Sequence, residues 1–205
     1  MKDAAARLTP LGVMVLALLR EGEMHPYEMI RLMRHRHDDR IVSVTNGTVY
    51  HTVARLERQG LIAEVGIDRD GNRPERTTYA LADAGGAAVD EWVRRELPVL
   101  DHPVDFRIAL AEAHNLERDE VLALLRTRLA ALAEARDYHR SGRAKALAAR
   151  TPEQYLIEVD RQGALLTADH DWLAAFLVRL SSPDFMWGTH EVDDRYLAQR
   201  EAARR

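Results

Sequence analysis

The sequence predicts a mainly α-helical protein with one small β-hairpin, divided into two parts. Three observations carry the prediction. Residues 9–82 run as three short helical patterns followed by two β-rich runs around a polar turn. Two prolines, Pro98 and Pro103, then interrupt the chain, and composition shifts to Ala, Leu and Arg. Beyond them leucines recur at heptad spacing. The expected boundaries are residues 1–97 for the N-terminal part, 98–105 for a linker and 106–205 for a helical body.

Thr9-Pro10 opens the first helix, because Thr caps well and Pro at the first helical position lacks an N–H that would be unpaired anyway. Leu11, Met14, Val15, Leu18 and Leu19 repeat at helical spacing up to Glu21-Gly22. A second helix follows His25-Pro26-Tyr27, with Met29, Ile30 and Met33 apolar, and HRHDDRIVS loses the period and reads as a loop. The third helix lies in TNGTVYHTVARLERQGLI, capped by Thr45 or Asn46 and stopped by Gly60. LIAEVGI and RTTYALA around DRDGNRPE signal a hairpin with a long polar tip. Three helices and then a hairpin is the order of a winged helix-turn-helix. Asp83 is placed to cap a fourth helix, AGGAAVDEWVRREL.

In the body, Leu122, Leu125, Leu129 and Leu132 step 3, 4, 3, and Thr151-Pro152-Glu153-Gln154 reads as the capped start of a second helix. Along that helix Leu156, Val159, Gly163, Leu166, His170, Leu173, Leu177 and Leu180 form a seam that meets another helix. The partner is either the preceding helix of the same chain or a second subunit, and a four-helix arrangement satisfies both. The dimer is put first, with Leu156, Val159, Leu166, His170, Leu173, Leu177 and Leu180 as interface residues and His170 a partnered polar position. Phe185, Met186 and Trp187, ahead of a short amphipathic stretch, are expected to pack on this body or on the partner subunit.

Composition bounds the function. At 205 residues, 46% hydrophobic and 30% charged, the chain is long enough and apolar enough to bury a core. It has no cysteine, so no disulfide framework or thiolate metal site, and no apolar run near the roughly 20 residues of a membrane helix. A cytoplasmic location is expected, with no membrane partner. The net charge of −4 is uneven: residues 1–89 hold 12 Lys+Arg against 12 Asp+Glu, leaving 17 against 21 for the rest. Residues 31–58 hold six arginines (31, 34, 36, 40, 55, 58) against Asp38, Asp39 and Glu57. Such a basic stripe suits phosphate, though it is also what a solvated face looks like.

The third helix fits a major groove, which is wide enough to take an α-helix. Val49, Val53 and Leu56 are expected to face in, the small polar turn Thr45, Asn46, Gly47 and Thr48 to approach a phosphate, and His51, Thr52, Arg55 and Arg58 to face out. Tyr50 on the flank can aim its hydroxyl at a phosphate. On the hairpin, Arg69, Arg73 and Arg76 suit backbone or minor-groove contact, although Asp68, Asp70 and Glu75 blunt them. His35, His37, Asp38 and Asp39 have no third and fourth ligand placed by spacing, so no metal is expected. No Gly-rich phosphate loop or nucleophile motif appears, so neither catalytic residues nor a cofactor are expected. The alternative to a nucleic-acid binder is a winged helix used for protein assembly, with Arg55 and Arg58 tied up in salt bridges.

LTPLGV (8–13), HPYE (25–28), NGTVYHTVARLERQGLI (46–62) and NRPERTTYALADAG (72–85) together resemble the PadR-like transcriptional regulators. The resemblance covers residues 8–86 with characteristic motifs and, more loosely, the helical C-terminal part. It implies a homodimeric winged-helix regulator of double-stranded DNA, usually a repressor, with C-terminal helices forming the dimer and a small molecule as effector. An aromatic residue in the region of Trp92 can stack a flat effector in that family, and a plain core Trp is the alternative. Pro26, His51 and Ala82 depart from the usual pattern, where Gly, Pro and Thr respectively are common. His51 stands on the expected outer face, so the bases read are expected to differ.

Overall fold

In a computed structural model the described residues are 8–68 and 76–188, with isolated positions at 198 and 202. The chain is mainly helical with one antiparallel two-stranded hairpin. Helices α1 (Pro10–Arg20), α2 (Pro26–His35) and α3 (Asn46–Arg58) precede strands β1 (Ile62–Asp68) and β2 (Arg76–Leu81), and α4 (Asp83–Glu96) follows. This is the expected winged helix-turn-helix order. Contacts divide the chain into two units. The N-terminal one takes residues up to 96 together with 103–115, and the C-terminal one takes 97–102 and 116–188. The expected linker at 98–105 is therefore split, because Pro103 starts a helix, α5 (Pro103–Glu112), whose Ile108 and Ala109 are buried.

Local chemistry sets the ends of the first helices. Thr9 Oγ1 accepts from Gly12 N at 3.2 Å, capping α1 with Pro10 at its first position. His25 Nδ1 accepts from Tyr27 N (3.1 Å) and Glu28 N (3.2 Å), so an imidazole does for α2 what a Ser or Asp usually does. Gly60 (φ 69°) ends α3 with Leu61 N bonded to Leu56 O and Gly60 N to Glu57 O, the paired bonds of a Schellman stop. For α4 the backbone carbonyl of Ala82 receives Gly85 and Gly86, and Asp83 lies inside the first turn rather than at the cap.

Val13, Leu16, Met29, Ile30, Met33, Val49, Leu56, Leu61, Val89 and Trp92 are among the buried residues of the N-terminal unit. Arg20 bridges α1 and α4 through Gly86 O and Asp90, both at 2.6 Å. Residue Met24 adds a third edge to the hairpin, exchanging both backbone bonds with Tyr79 at 3.0 Å. The pairing register breaks between Glu64 and Gly66, which leaves Val65 as the extra residue of a bulge.

The C-terminal unit is a long helical hairpin of α6 (Arg118–Ala148) and α7 (Ile157–Leu180). The seam closes within the chain. Leu156, Leu166, Leu173, Leu177 and Leu180 are buried without any second copy, as are Val121, Leu125 and Leu132 of α6. His170 Nδ1 lies 3.0 Å from Arg136 Nη1 on α6, and Val159 is half-buried. Within one chain the antiparallel helix a short turn away thus already covers the buried part of this seam. The start of the second helix also shifts. Thr151 N closes α6 on Ala146 O, so Thr-Pro leads into a 3-10 turn, Glu153–Tyr155, and α7 begins only at Ile157. The Phe185–Trp187 segment packs on this body: Trp187 Nε1 donates to Leu116 O (2.9 Å), and Phe185 stands edge-on to Phe176. The amphipathic stretch after it lies outside the described residues. No helix among the described residues is long and apolar enough to cross a membrane.

Candidate nucleic-acid interface

The first turn of α3 is fixed by a reciprocal cap. Thr48 N donates to Thr45 Oγ1 (3.2 Å), and Thr45 N donates to Thr48 Oγ1 (3.0 Å). Both hydroxyls are thus engaged in holding the turn, while Thr45, Asn46, Gly47 and Thr48 all remain exposed. A Cβ at Gly47 would meet no atom within 4 Å, so the glycine leaves that turn slim on an open side.

Val49, Val53 and Leu56 face in as expected, and the buried face of the helix is wider by one residue. Its buried stripe is Val49, Thr52, Val53 and Leu56, with Thr52 only 6% exposed. Spacing of i, i+3, i+4 and i+7 is the full width of a core-facing stripe, and a Thr is small and apolar enough on one side to fill the i+3 place. The exposed face is accordingly Asn46, Gly47, Tyr50, His51, Ala54 and Arg58. Tyr50 stands half-exposed at 50%, on the face rather than at its flank.

Arg55, expected outside, is half-buried and turns inward. Its Nη2 donates to Thr9 Oγ1 at 2.8 Å, and its Nε is enclosed without an acceptor. Arg58 is exposed, with Nε on Ala54 O at 3.2 Å. Among the described residues neither is held in an ion pair. The basic stripe is likewise redistributed. Arg36 forms a two-pronged pair with Glu21 (2.7 and 2.9 Å), and Arg31 lies 5.9 Å over the Tyr27 ring. Arg34 and Arg40 are exposed, the latter donating to His37 O.

Between α2, α3 and β2 lies a cleft of about 260 Å³ lined by His25, Tyr27, Tyr50, Ala54, Thr77 and Tyr79, among others. His25 and Tyr27 stack at 6.1 Å. Burial, with Glu57 and Glu64 adding to it, holds the Tyr79 phenol above its usual value. The sequence reading did not place Tyr27 or Tyr79 here. The signal existed in part: Tyr27 follows the capping His, where a first-turn side chain points out. Arg69 and Arg73 lie outside the described residues, and of Arg76 only the backbone, paired with Asp68, is described. Trp92 is 1% exposed, its ring packed in the core of the N-terminal unit.

Residues 15–91 match the transcriptional regulator PadR-like family. This stretch is a PadR-like regulator domain. Of solved structures similar to the chain, PadR of Bacillus subtilis in complex with operator DNA shares 20% identity, with 83% of this chain and 99% of that one covered and a TM-score of 0.40. The protein smu.1604c of Streptococcus mutans UA159 shares 20% identity, covering 82% and 98%, with a TM-score of 0.38. The Bacillus subtilis PadR structure with p-coumaric acid shares 18%, covering 85% and 100%, at 0.38. No curated protein matches the chain.

Proposed function

We propose that the chain is a cytoplasmic, sequence-specific DNA-binding regulator, a repressor acting as a homodimer on a pseudo-palindromic operator. The observation that supports this reading best is the open face of α3. Asn46, Gly47, Tyr50, His51, Ala54 and Arg58 stand exposed side by side on a helix fixed by its cap, with no carboxylate among them. Asn and Arg are the side chains that pair bidentately with adenine and guanine edges, and a small first turn lets the backbone approach phosphate. The assembly-module alternative requires Arg55 and Arg58 to be held by acids. Arg55 is held by a hydroxyl instead, and Arg58 by its own helix.

In a twofold dimer the two α3 helices enter major grooves about one turn apart, roughly 34 Å. With the leucine seam occupied inside the chain, the second copy covers the outer face of α7, where Ile157, Leu165, Trp172 and Val178 are exposed. A small-molecule effector that alters the separation of the two reading helices releases the operator. A cross-link across residues 98–103 is expected to abolish release in an operator–reporter strain, and release surviving the cross-link removes that step.

The test of DNA binding is fluorescence anisotropy with DNA from the gene's own upstream region across a salt series. The parent is expected to bind tightly against competitor DNA. Arg58→Ala lowers affinity and, if Arg58 holds a phosphate, reduces the salt slope by about one. His51→Ala changes which sequences are preferred. Weak binding, equal on every sequence and indifferent to both changes, would return the chain to the assembly reading.

A further inference from the structure

Among the described residues of α6, Leu132 is the last that is buried. Beyond it a groove of about 430 Å³ opens between α6 and α7. That size lies within the range of small-molecule sites. One wall is a row on α6, Arg136, His139, Arg140 and Arg143, at i, i+3, i+4 and i+7. The other is Val159, Gly163 and Thr167 of α7. A Cβ on Gly163 would meet nothing within 4 Å, so the helix backbone itself leaves the gap.

The charges in the groove are only partly satisfied by the chain. Arg143 is held by Asp160, the one carboxylate among the lining residues, and this pair keeps the Asp160 carboxyl below its usual value. Arg140 Nη2 reaches Asp137 at 2.8 Å, at the rim. Arg136 gives Nη1 to His170 (3.0 Å), with Asp171 at 3.6 Å, while its Nε is enclosed and has no hydrogen-bond acceptor, Asp137 being 4.0 Å away. An enclosed donor without an acceptor is costly, and a guanidinium presents its donors in a fork that matches a carboxylate. Beside it lies an apolar strip, Val159 and the space at Gly163. Thr167 has its hydroxyl already donated to Gly163 O at 2.8 Å, so it competes little for a ligand.

We propose that this groove binds a small organic anion: a single carboxylate-like head on Arg136 and Arg140, and an apolar body laid along Val159 and the Gly163 gap. The site is independent of whether α3 meets DNA.

Calorimetric titration of the full chain with sodium octanoate, octylammonium chloride and sodium phosphate tests it. Octanoate is expected to bind saturably, octylammonium not at all, and phosphate more weakly than octanoate because it lacks an apolar body. Arg136→Gln is expected to weaken octanoate by at least about tenfold, and Gly163→Leu, which fills the gap, to abolish binding. Both variants are checked by circular dichroism and light scattering, and Arg136→Gln decides alone if Gly163→Leu fails to fold. No saturable octanoate binding, equal binding of octylammonium, or indifference to Arg136→Gln overturns the proposal. So does a Gly163→Leu chain that folds but loses its oligomeric state, since the groove would then be where a second copy sits.

Discussion

Replacing Arg55 by Met and Thr9 by Val separates two contributions that the structure joins at one atom. Arg55 Nη2 donates to Thr9 Oγ1 at 2.8 Å, and the same oxygen caps α1 by accepting from Gly12 N. A hydrogen bond from a charged donor contributes about 1.5–3 kcal/mol, while a buried donor left without an acceptor, here Nε, costs about 1–3 kcal/mol. Arg55→Met removes both and keeps an unbranched stem of similar reach, so the two nearly offset and stability changes by less than about 1 kcal/mol. Thr9→Val keeps shape but removes the cap, about 1 kcal/mol, and leaves Nη2 as a second donor without its partner. Its expected cost is about 2–3 kcal/mol, the low end of the sum because Arg55 is only half-buried. Urea unfolding followed by circular dichroism reads both as midpoint shifts at constant slope. An Arg55→Met chain that is as unstable as Thr9→Val refutes the argument. A stable Arg55→Met chain that no longer binds DNA would also return Arg55 to the reading face, since fold and binding are then separated.

Backbone geometry and burial give four further expectations. A Cβ on Gly85 would fall 2.1 Å from Leu61 O and 2.8 Å from Leu81 Cδ1, so Gly85→Ala should cost about 1–3 kcal/mol in urea unfolding. Gly86→Ala, whose nearest neighbours are at 3.8 Å, should instead gain about 0.5–1 kcal/mol from helix propensity. Arg150 ends α6 at φ 57°, with Arg150 N on Leu147 O and Thr151 N on Ala146 O, the stop that Gly60 makes for α3. Arg150→Gly should therefore raise stability by about 1 kcal/mol, and a loss would show that the Arg side chain matters more than the strain. Burial raises the Glu112 carboxyl above its usual value, opposed by His114 and Arg20, so its ionised form opposes folding. The raised folded-state value means stability falls as pH rises from the unfolded value through the folded one, and below both no difference remains. Glu112→Gln is expected to be more stable than the parent at pH 7 and equal to it near pH 3.

The fold was legible where local chemistry decides it. Thr9-Pro10, Gly60 and the polar turn between two β-rich runs mark ends that the backbone must satisfy wherever the segment packs. The faces of α3 were less legible for a definable reason. A stripe of strongly apolar residues alone omits Thr52, which, with a methyl on one side of Cβ, occupies its fourth place. Moving one residue across the boundary exposes Tyr50 and Ala54 and draws Arg55 under the edge toward Thr9. That partner lies 46 positions away, and no periodicity within the helix could name it. Tyr79 entered the cleft through the bridge to Met24, another long-range pairing.

The heptad seam carries the same distinction one level up. A repeat of 3 and 4 states that a helix meets another helix along one face, and says nothing about which chain supplies it. Chain closure decides, because joining α6 to α7 by a short turn places them side by side at a small loop entropy, whereas a second subunit also loses translational and rotational freedom. The seam is therefore filled by the intramolecular partner, and the proposed dimer draws on a face whose pattern is weaker. On α7 that face holds Ile157, Leu165, Trp172 and Val178 among alanines 164, 168 and 175, all exposed. An outward Trp172→Glu, 48% exposed in the single chain, should then split the proposed dimer in light scattering while leaving helicity intact. An equally outward change on α6, Tyr138→Glu at 80% exposure, measures whether the contact is confined to α7. A dimer that survives Trp172→Glu but dissolves on Leu173→Ala would mean that the seam is shared between chains after all.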